Sequence, residues 1–370
     1  MSATPLVPLP PNSIIGIVGG GQLGRMSALA AARLGYRCHI LTPEADSPAA
    51  QVSARAFVGD YEDIDLLRQF ALSVSAITFE FENVSAEGLD LLASLRPVRP
   101  SPAVLRISQD RQLEKTFLNQ AGVETAPWVA LKTRADLHAA VARTGLPGIL
   151  KTTRGGYDGK GQAMLRSLSN LNAMWEELEP KPLILEALVD FTREISVVVA
   201  RGMDGAAVAF DPVENKHRDG ILDMTIAPAP ITLATAKQAV DIALHIAEAA
   251  EVVGVLAVEM FVLPDGRVLV NEIAPRPHNS GHWTIDACPA SQFELHIRAV
   301  AGLKLPAAVR HSDAVMKNLV GPEEAAQWPA LLETPGLVPH LYGKAEAREG
   351  RKMGHVTRLL PRGSLPGFEA

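Results

Sequence analysis

The chain has 370 residues, 47% hydrophobic and 21% charged, and its 35 Lys and Arg against 41 Asp and Glu leave a net charge of −6. That length accommodates two or three domains with ordinary apolar cores, no apolar run approaches the ~20 residues of a bilayer span, and the acidic balance excludes the global basic field of a non-specific nucleic-acid binder. Only Cys38 and Cys288 occur, which excludes a disulfide framework or a CxxC site and suits a reducing, cytoplasmic compartment.

Residues 1–13, MSATPLVPLPPNS, read as a proline-rich disordered extension. From residue 14 short apolar runs (IIGIV, RCHIL, AITFEFENV) alternate with helical ones (QLGRMSALAAARLG, SAEGLDLLASL). This is the rhythm of βαβ units and predicts a parallel α/β domain over 14–108. Between its first strand and helix lies GGGQLG, with Gly19, Gly21 and Gly24 in the G-x-G-x-x-G spacing of a dinucleotide fingerprint. The second strand, however, runs into Thr42 and Pro43 without the carboxylate that a dinucleotide ribose needs. The loop is therefore read as a seat for the phosphate of another ligand at a helix N-terminus, or as a tight turn alone.

The run RPVRPSP (96–102) marks a boundary, since proline continues neither helix nor ladder. A small subdomain with its linker is expected over 109–190. It holds an amphipathic helix in DRQLEKTFLNQAG, a strand ending at Lys151, and the loop RGGYDGKGQ (154–162). That loop lacks the Walker spacing, yet glycines beside a strand lysine let backbone N–H groups close on phosphates. Next, LILEALVDFTREISV carries Glu186 and Glu194.

A larger subdomain is expected over 191–306, with a helix over 234–250 and a hairpin in VLAVEMFVLPDGRVLVNEIA. A turn at Asp265-Gly266 pairs Leu263 with Val268, and in the same register Glu259 faces Glu272. Two opposed carboxylates repel unless a cation lies between them, and an all-oxygen pair suits Mg²⁺. A bulge that shifts the register, or basic side chains from elsewhere, are the alternatives. Just beyond, APRPHNSGHWT crowds Arg276, His278, Asn279, Ser280 and His282 together, a set of donors for a small anion. Residues 307–370 read as a small β-rich domain, basic between Lys344 and Arg362.

Together these motifs resemble the ATP-grasp ligases. The blocks GGGQLGRM, QDRQLEK, TAPW, GGYDGKGQ, NEIAPRPHNSGHWT and GRKMGH narrow the resemblance to the N5-carboxyaminoimidazole ribonucleotide synthetases. The resemblance implies an N-terminal Rossmann-like pre-ATP-grasp domain, a two-part ATP-grasp core and a C-terminal β-rich domain. It implies ATP-dependent carboxylation of 5-aminoimidazole ribonucleotide by bicarbonate, through carboxyphosphate, in purine synthesis by a cytoplasmic homodimer. Arg111, Lys151, the loop Gly156, Tyr157, Asp158, Gly159, Lys160, Gly161 and Gln162, the hinge Glu186, Ala187, Leu188 and Val189, and Glu194, His217, Asn271 and Glu272 are then expected to hold ATP. Glu259 and Glu272 would hold Mg²⁺, with Mn²⁺ as a substitute. Gly21, Gln22, Leu23, Glu80, Lys344 and Arg351 would bind the ribonucleotide, and Tyr157, Asp158, Arg276, His278, Asn279 and Ser280 would serve the chemistry. Another ATP-grasp ligase, such as a formate-dependent glycinamide ribonucleotide transformylase, would share the ATP site but not HNSGHWT. An NAD-dependent oxidoreductase would explain the first glycine loop alone.

Overall fold

The computed structural model describes residues 7–156, 161–170, 175 and 182–365, and three sheets organise them. The first is parallel, in the order β3-β2-β1-β4, and comprises β1 (Ile14–Val18), β2 (Arg37–Thr42), β3 (Arg55–Val58) and β4 (Ala76–Phe79). Its strands are apolar on both faces because helices cover both. Ile15, Ile17 and Ile40 pack with Ala28 and Ala31 of the helix Gln22–Arg33 and with Ile297 and Val300 of the helix Gln292–Ala301, while Val18, Leu41 and Ile77 pack with Phe70 and Leu89 on the other side. The helix Gln292–Ala301, distant in sequence, thus anchors the core of the chain to the N-terminal sheet.

The proline-rich stretch differs from expectation. From residue 7 onward it is held: the Leu9 N–H donates to the Ala301 carbonyl at 2.8 Å, and the Tyr36 hydroxyl donates to the Leu9 carbonyl at 2.8 Å. Proline removes N–H groups, but the few that remain here find partners. Residues 1–6 lie outside the described set.

The second sheet is antiparallel, β5-β8-β6-β7, from β5 (Trp128–Leu131), β6 (Gly148–Thr152), β7 (Gln162–Leu165) and β8 (Leu183–Ala187). Lys151, next to last in β6, sits between Gln162 and Ile184 on its neighbours.

The third sheet runs β14-β13-β9-β11-β12-β15-β17-β16, with β10 (Ala207–Ala209) added to β9 (Arg193–Arg201). Its other members are β11 (Val213–Arg218), β12 (Ile221–Ala227), β13 (Gly254–Val262), β14 (Val268–Ala274), β15 (Ser312–Val320), β16 (Leu337–Leu341) and β17 (Lys352–Pro361). The helix Leu233–Ala249, capped by Thr232 accepting from the Thr235 N–H, lays Ala239, Ala243 and Ile246 against Val197, Val199, Leu256 and Val258. The C-terminal strands form no sheet of their own, because β15 pairs along β12 and extends this one.

The β13–β14 hairpin reaches the expected pair by another route. Glu259 does face Glu272, but at the turn end Val262 pairs with Val268, one residue off the expected register, and the register shifts between Glu259 and Met260. Asn271 is the extra residue. The bulge restores the carboxylate pair and re-aims the strand beside the site, a common use of bulges.

Candidate active site

The three sheets meet around a cleft of about 640 Å³. Gly21, Gln22, Leu23 and Glu80 reach it from the parallel sheet, Lys151, Gly156 and Gln162 from the second, and Glu194, His217, Glu259, Asn271, Glu272, Arg276, His278 and Asn279 from the third, with Arg111 from the intervening helix. Residues 180 and more apart in sequence are thereby brought together. Tyr157, Asp158, Gly159 and Lys160 lie outside the described residues.

At the first glycine loop the Glu80 carboxylate occupies the helix N-terminus, accepting from the Gly21 N–H at 2.5 Å and the Gly24 N–H at 2.9 Å. The glycines exist for this approach. A Cβ on Gly19 (φ +114) would come within 2.3 Å of Glu80 Cγ, and one on Gly21 within 2.6 Å of Glu80 Oε1. Two of the N–H groups that a phosphate or dinucleotide would use, those of Gly21 and Gly24, are thus committed to an internal anion, while Gln22 and Leu23 between them line the cleft. Burial pushes the Glu80 pKa up, against the pull of those two N–H bonds. Gly21→Ala is expected to displace the carboxylate and lower stability by about 1 to 3 kcal/mol, read as a drop in the urea midpoint.

Two lysines of this region share one carboxylate. Lys151 Nζ donates to Glu186 Oε2 at 2.9 Å, and buried Lys115 lies 3.6 Å from the same oxygen while donating to the Asn271 carbonyl at 2.8 Å. Burial works against the Glu186 charge, but the two lysines outweigh it and hold its pKa low. Glu186 is therefore a support beneath Lys151, and it does not line the cleft. Of the hinge, the Ala187 N–H donates to the Pro127 carbonyl at 2.8 Å and the Leu188 N–H to the Pro147 carbonyl at 3.3 Å, and none of Ala187, Leu188 and Val189 lines the cleft. Gly161 takes φ +71, where a Cβ would also meet Thr152 Oγ1 at 2.7 Å.

Both hairpin carboxylates have basic partners, the second of the alternatives raised by the sequence. Glu259 Oε1 lies 2.9 Å from His278 Nε2, and Glu272 Oε2 accepts from Arg111 at 3.0 Å. Burial opposes the Glu272 charge, yet Arg111 holds its pKa well below the carboxylate range. Its buried neighbour Glu114 shifts the other way, pushed up by burial and by the charge of Glu272. Each hairpin carboxylate engages its partner through one oxygen, and beside them Asn271 Oδ1 is buried without a hydrogen-bond partner among the described residues. This all-oxygen set fits a hard divalent cation.

His217 Nδ1 and Glu194 Oε2 pair at 2.6 Å in the cleft wall. Burial disfavours the imidazolium, but the Glu194 bond and charge raise the His217 pKa above its ordinary value. The stability this pair adds is complete below the ordinary histidine range and is lost as pH climbs through the raised value. Melting temperatures of the wild type and His217→Gln are therefore expected to converge as pH rises from about 5.5 to 9.

Asn279 has both amide atoms buried and unpartnered at the cleft edge, and Arg276 pairs with Glu82 at 3.0 Å while its Nε has no partner among the described residues. An orphaned buried amide is costly unless a ligand completes it. Ser280, by contrast, is fully buried behind His278 and does not line the cleft. The tail also divides differently from expectation. Arg351 is absent from the cleft lining, its guanidinium donating to the Glu346 carbonyl at 2.9 Å, whereas Lys352 lines the cleft. Lys344 donates to the Lys352 carbonyl at 2.6 Å, and its charge reaches Glu80.

Sequence reasoning missed Glu82, Glu114, Lys352 and the stacked pair Phe191–Phe261, whose ring centroids are 4.7 Å apart in the cleft wall. The alternation in FEFEN held the signal for Glu82, two residues from Glu80 at a strand end. Elsewhere Asp286, His340 and His355 bring three ligand atoms within 4.8 Å of one another, but the two imidazoles stack at 14°, so their lone pairs run side by side and do not converge as a metal requires.

Three family models match the chain: a ribonucleotide synthetase preATP-grasp domain over residues 13–109, an ATP-grasp domain over 116–293 and a phosphoribosylaminoimidazole carboxylase C-terminal domain over 314–362. The chain is 52% identical to the N5-carboxyaminoimidazole ribonucleotide synthase of Brucella melitensis over 96% of its own length and 98% of that protein. In structure it resembles N5-carboxyaminoimidazole synthetase from Staphylococcus aureus complexed with ADP, with 37% identity, 95% and 94% of the two chains covered and a TM-score of 0.91. It also resembles the Aspergillus clavatus synthase in complex with ADP and 5-aminoimidazole ribonucleotide, with 32% identity, 95% and 94% covered and a TM-score of 0.89.

Proposed function

The chain belongs to the N5-carboxyaminoimidazole ribonucleotide synthases, ATP-dependent carbon–nitrogen ligases of the ATP-grasp superfamily, and we propose that its cleft joins bicarbonate to 5-aminoimidazole ribonucleotide at the expense of ATP in purine synthesis. The observation that carries this reading is the single cleft in which Lys151, the carboxylate pair Glu259 and Glu272, and the orphaned Asn279 amide converge.

ATP enters between the second and third sheets. The Phe191–Phe261 stack and Ile149 offer its base an apolar wall, and Glu194 with His217 offers polar contacts beside it. Lys151, held forward by Glu186, and Arg111 meet the phosphates. Glu259, Glu272 and Asn271 would hold Mg²⁺ or Mn²⁺, which when bound neutralises the transferring phosphoryl group.

Bicarbonate is too weak an electrophile to carboxylate an amine unaided. Its oxygen attacks the γ-phosphorus, ADP leaves, and the mixed anhydride carboxyphosphate delivers its carbonyl carbon to the exocyclic amine as the C–O bond to phosphate breaks and the departing phosphate takes up the amine proton. Asn279 and Arg276 orient the small anion, while Lys352 takes the ribonucleotide phosphate and Lys344, bonded to the Lys352 carbonyl, adds its charge from behind. The two buried free thiols, Cys38 and Cys288, suit a reducing compartment, and the enzyme would work in the cytoplasm as a homodimer.

Coupled measurement of ADP tests this. Release is expected to require 5-aminoimidazole ribonucleotide, bicarbonate and Mg²⁺ together and to stop on chelation by EDTA. Equal release with glycinamide ribonucleotide and formate would overturn it.

A further inference from the structure

A line of polar side chains crosses the third sheet beneath the cleft. The Thr225 hydroxyl on β12 donates to Asn215 Oδ1 on β11 at 3.0 Å, and Asn215 Nδ2 donates to Ser196 Oγ on β9 at 2.9 Å. Ser196 Oγ donates to Ser280 Oγ at 2.7 Å, and Ser280 Oγ meets His278 Nδ1 at 2.8 Å. Thr225, Ser196 and Ser280 are fully buried and Asn215 is 5% exposed. On β9 the neighbours of Ser196 are the buried Ile195 and Val197, and on β12 those of Thr225 are Met224 and Ile226, whereas Asn215 on β11 sits between Glu214 and Lys216. A polar chain in such surroundings is costly unless every member is satisfied, and none of its four members appears among the buried atoms that lack a partner.

The chain has a direction. Asn215 presents its Nδ2 to Ser196, and an amide N–H can only donate, so Ser196 accepts there and passes its own hydrogen onward, while the amide oxygen is left to accept from Thr225. At the far end the Ser280 backbone N–H also points at His278 Nδ1, at 3.3 Å, and an N–H can only donate. His278 Nδ1 is an acceptor on both counts, which leaves Nε2 to carry the hydrogen directed at Glu259. Gln292 clamps the same loop, accepting from the His278 N–H at 2.9 Å and donating to its carbonyl at 2.7 Å, in space that a Cβ on Gly281 would fill, 2.5 Å from Gln292 Oε1.

We propose that Thr225, Asn215, Ser196 and Ser280 are positioning residues, a buried relay that sets the His278 ring as an Nε2–H donor to Glu259 and thereby aims this carboxylate across the hairpin from Glu272. The inference deepens the functional reading and rests on it for its catalytic consequence, but not for the ring geometry.

The test uses the full chain. ¹⁵N-histidine NMR of the ligand-free wild type, with the His278 signals identified by their absence in His278→Gln, is expected to show a protonated Nε2 and an acceptor Nδ1. In Thr225→Val, which removes only the first donor, the Asn215 amide and the hydroxyls behind it are free to reverse, the 3.3 Å Ser280 N–H is left alone to hold Nδ1, and His278 is expected to show a mixture of tautomers. In the same variant kcat for ribonucleotide-dependent ADP release should fall ~10- to 100-fold, as for a misplaced catalytic group, while the KM for ATP stays within about twofold. Thr225→Ser, which restores the hydroxyl, should recover both signals. If Thr225→Val does not fold, Ser196→Ala breaks the relay at its middle and is held to the same outcome. An unchanged His278 pattern in a folded relay variant, or a loss of kcat that Thr225→Ser does not recover, would overturn the relay. A wild type with the Nε2–H pattern but without ribonucleotide-dependent ADP release would uphold the relay and overturn the substrate reading.

Discussion

Glu272→Gln is expected to reduce ADP release roughly 10³-fold at saturating ATP and ribonucleotide, with little change in stability. The catalytic loss follows from its place. In the proposed function Glu272 would hold Mg²⁺ beside the transferring phosphoryl group, and removal of an electrostatic partner of that kind costs about 10² to 10³ in rate. The small change in stability follows from its surroundings. Glu272 is 38% exposed on its side chain and bonds Arg111 at 3.0 Å, while buried Glu114 repels it. Loss of the Arg111 pair and relief of the Glu114 repulsion oppose each other, so the net is expected to lie within about 1 kcal/mol. Without Arg111 the substitution would have stabilised the chain, as two opposed carboxylates suggest. Steady-state kinetics and thermal melts on the same preparation check both halves. Wild-type turnover at millimolar Mg²⁺ would remove Glu272 from the metal.

Local patterns carried much of this molecule. The βαβ rhythm, the strand ending at Lys151 and the hairpin were legible because each is a short-range pattern of apolar period and turn residues. The Glu259–Glu272 pair was legible for a less secure reason. The turn sits one residue away from the expected register and the bulge at Asn271 makes up the difference, and nothing local to VLAVEMFV or RVLVNEIA announces a bulge. What stayed illegible depends on partners far away in sequence. GGGQLG reads as a phosphate loop until Glu80, 59 residues on from Gly21, is seen to take two of its N–H groups. Ser280 reads as one more donor in a polar run until Ser196, 84 residues earlier, turns it inward and makes it a link behind His278. The attachment of the C-terminal strands to β12 likewise depends on a pairing that no local signal reports.

The tail gives the sharpest division between pattern and placement, and Lys352→Ala is expected to raise the KM for 5-aminoimidazole ribonucleotide by roughly ten- to a hundredfold. Arg351 would be the better phosphate ligand by chemistry alone, since its planar fork makes two parallel hydrogen bonds. Backbone geometry decides otherwise. β17 begins at Lys352, where the register with β15 shifts and Met353 is the extra residue, and at this bulge Lys352 is turned into the cleft while Met353 and His355 are buried in the core. Arg351 precedes the strand, where its carbonyl accepts from the Gly321 N–H and its guanidinium is spent on Glu346. A charge-assisted bond to phosphate is worth about 1.5 to 3 kcal/mol, which converts to the stated range. Lys352→Ala should leave the KM for ATP nearly unchanged, and its effect should shrink as salt rises, because a site open to solvent is screened. Arg351→Ala should keep the ribonucleotide KM within about twofold, as surface changes do. The reverse outcome, with Arg351→Ala costly and Lys352→Ala silent, would show that the tail rearranges around the ribonucleotide and would transfer the phosphate contact to Arg351.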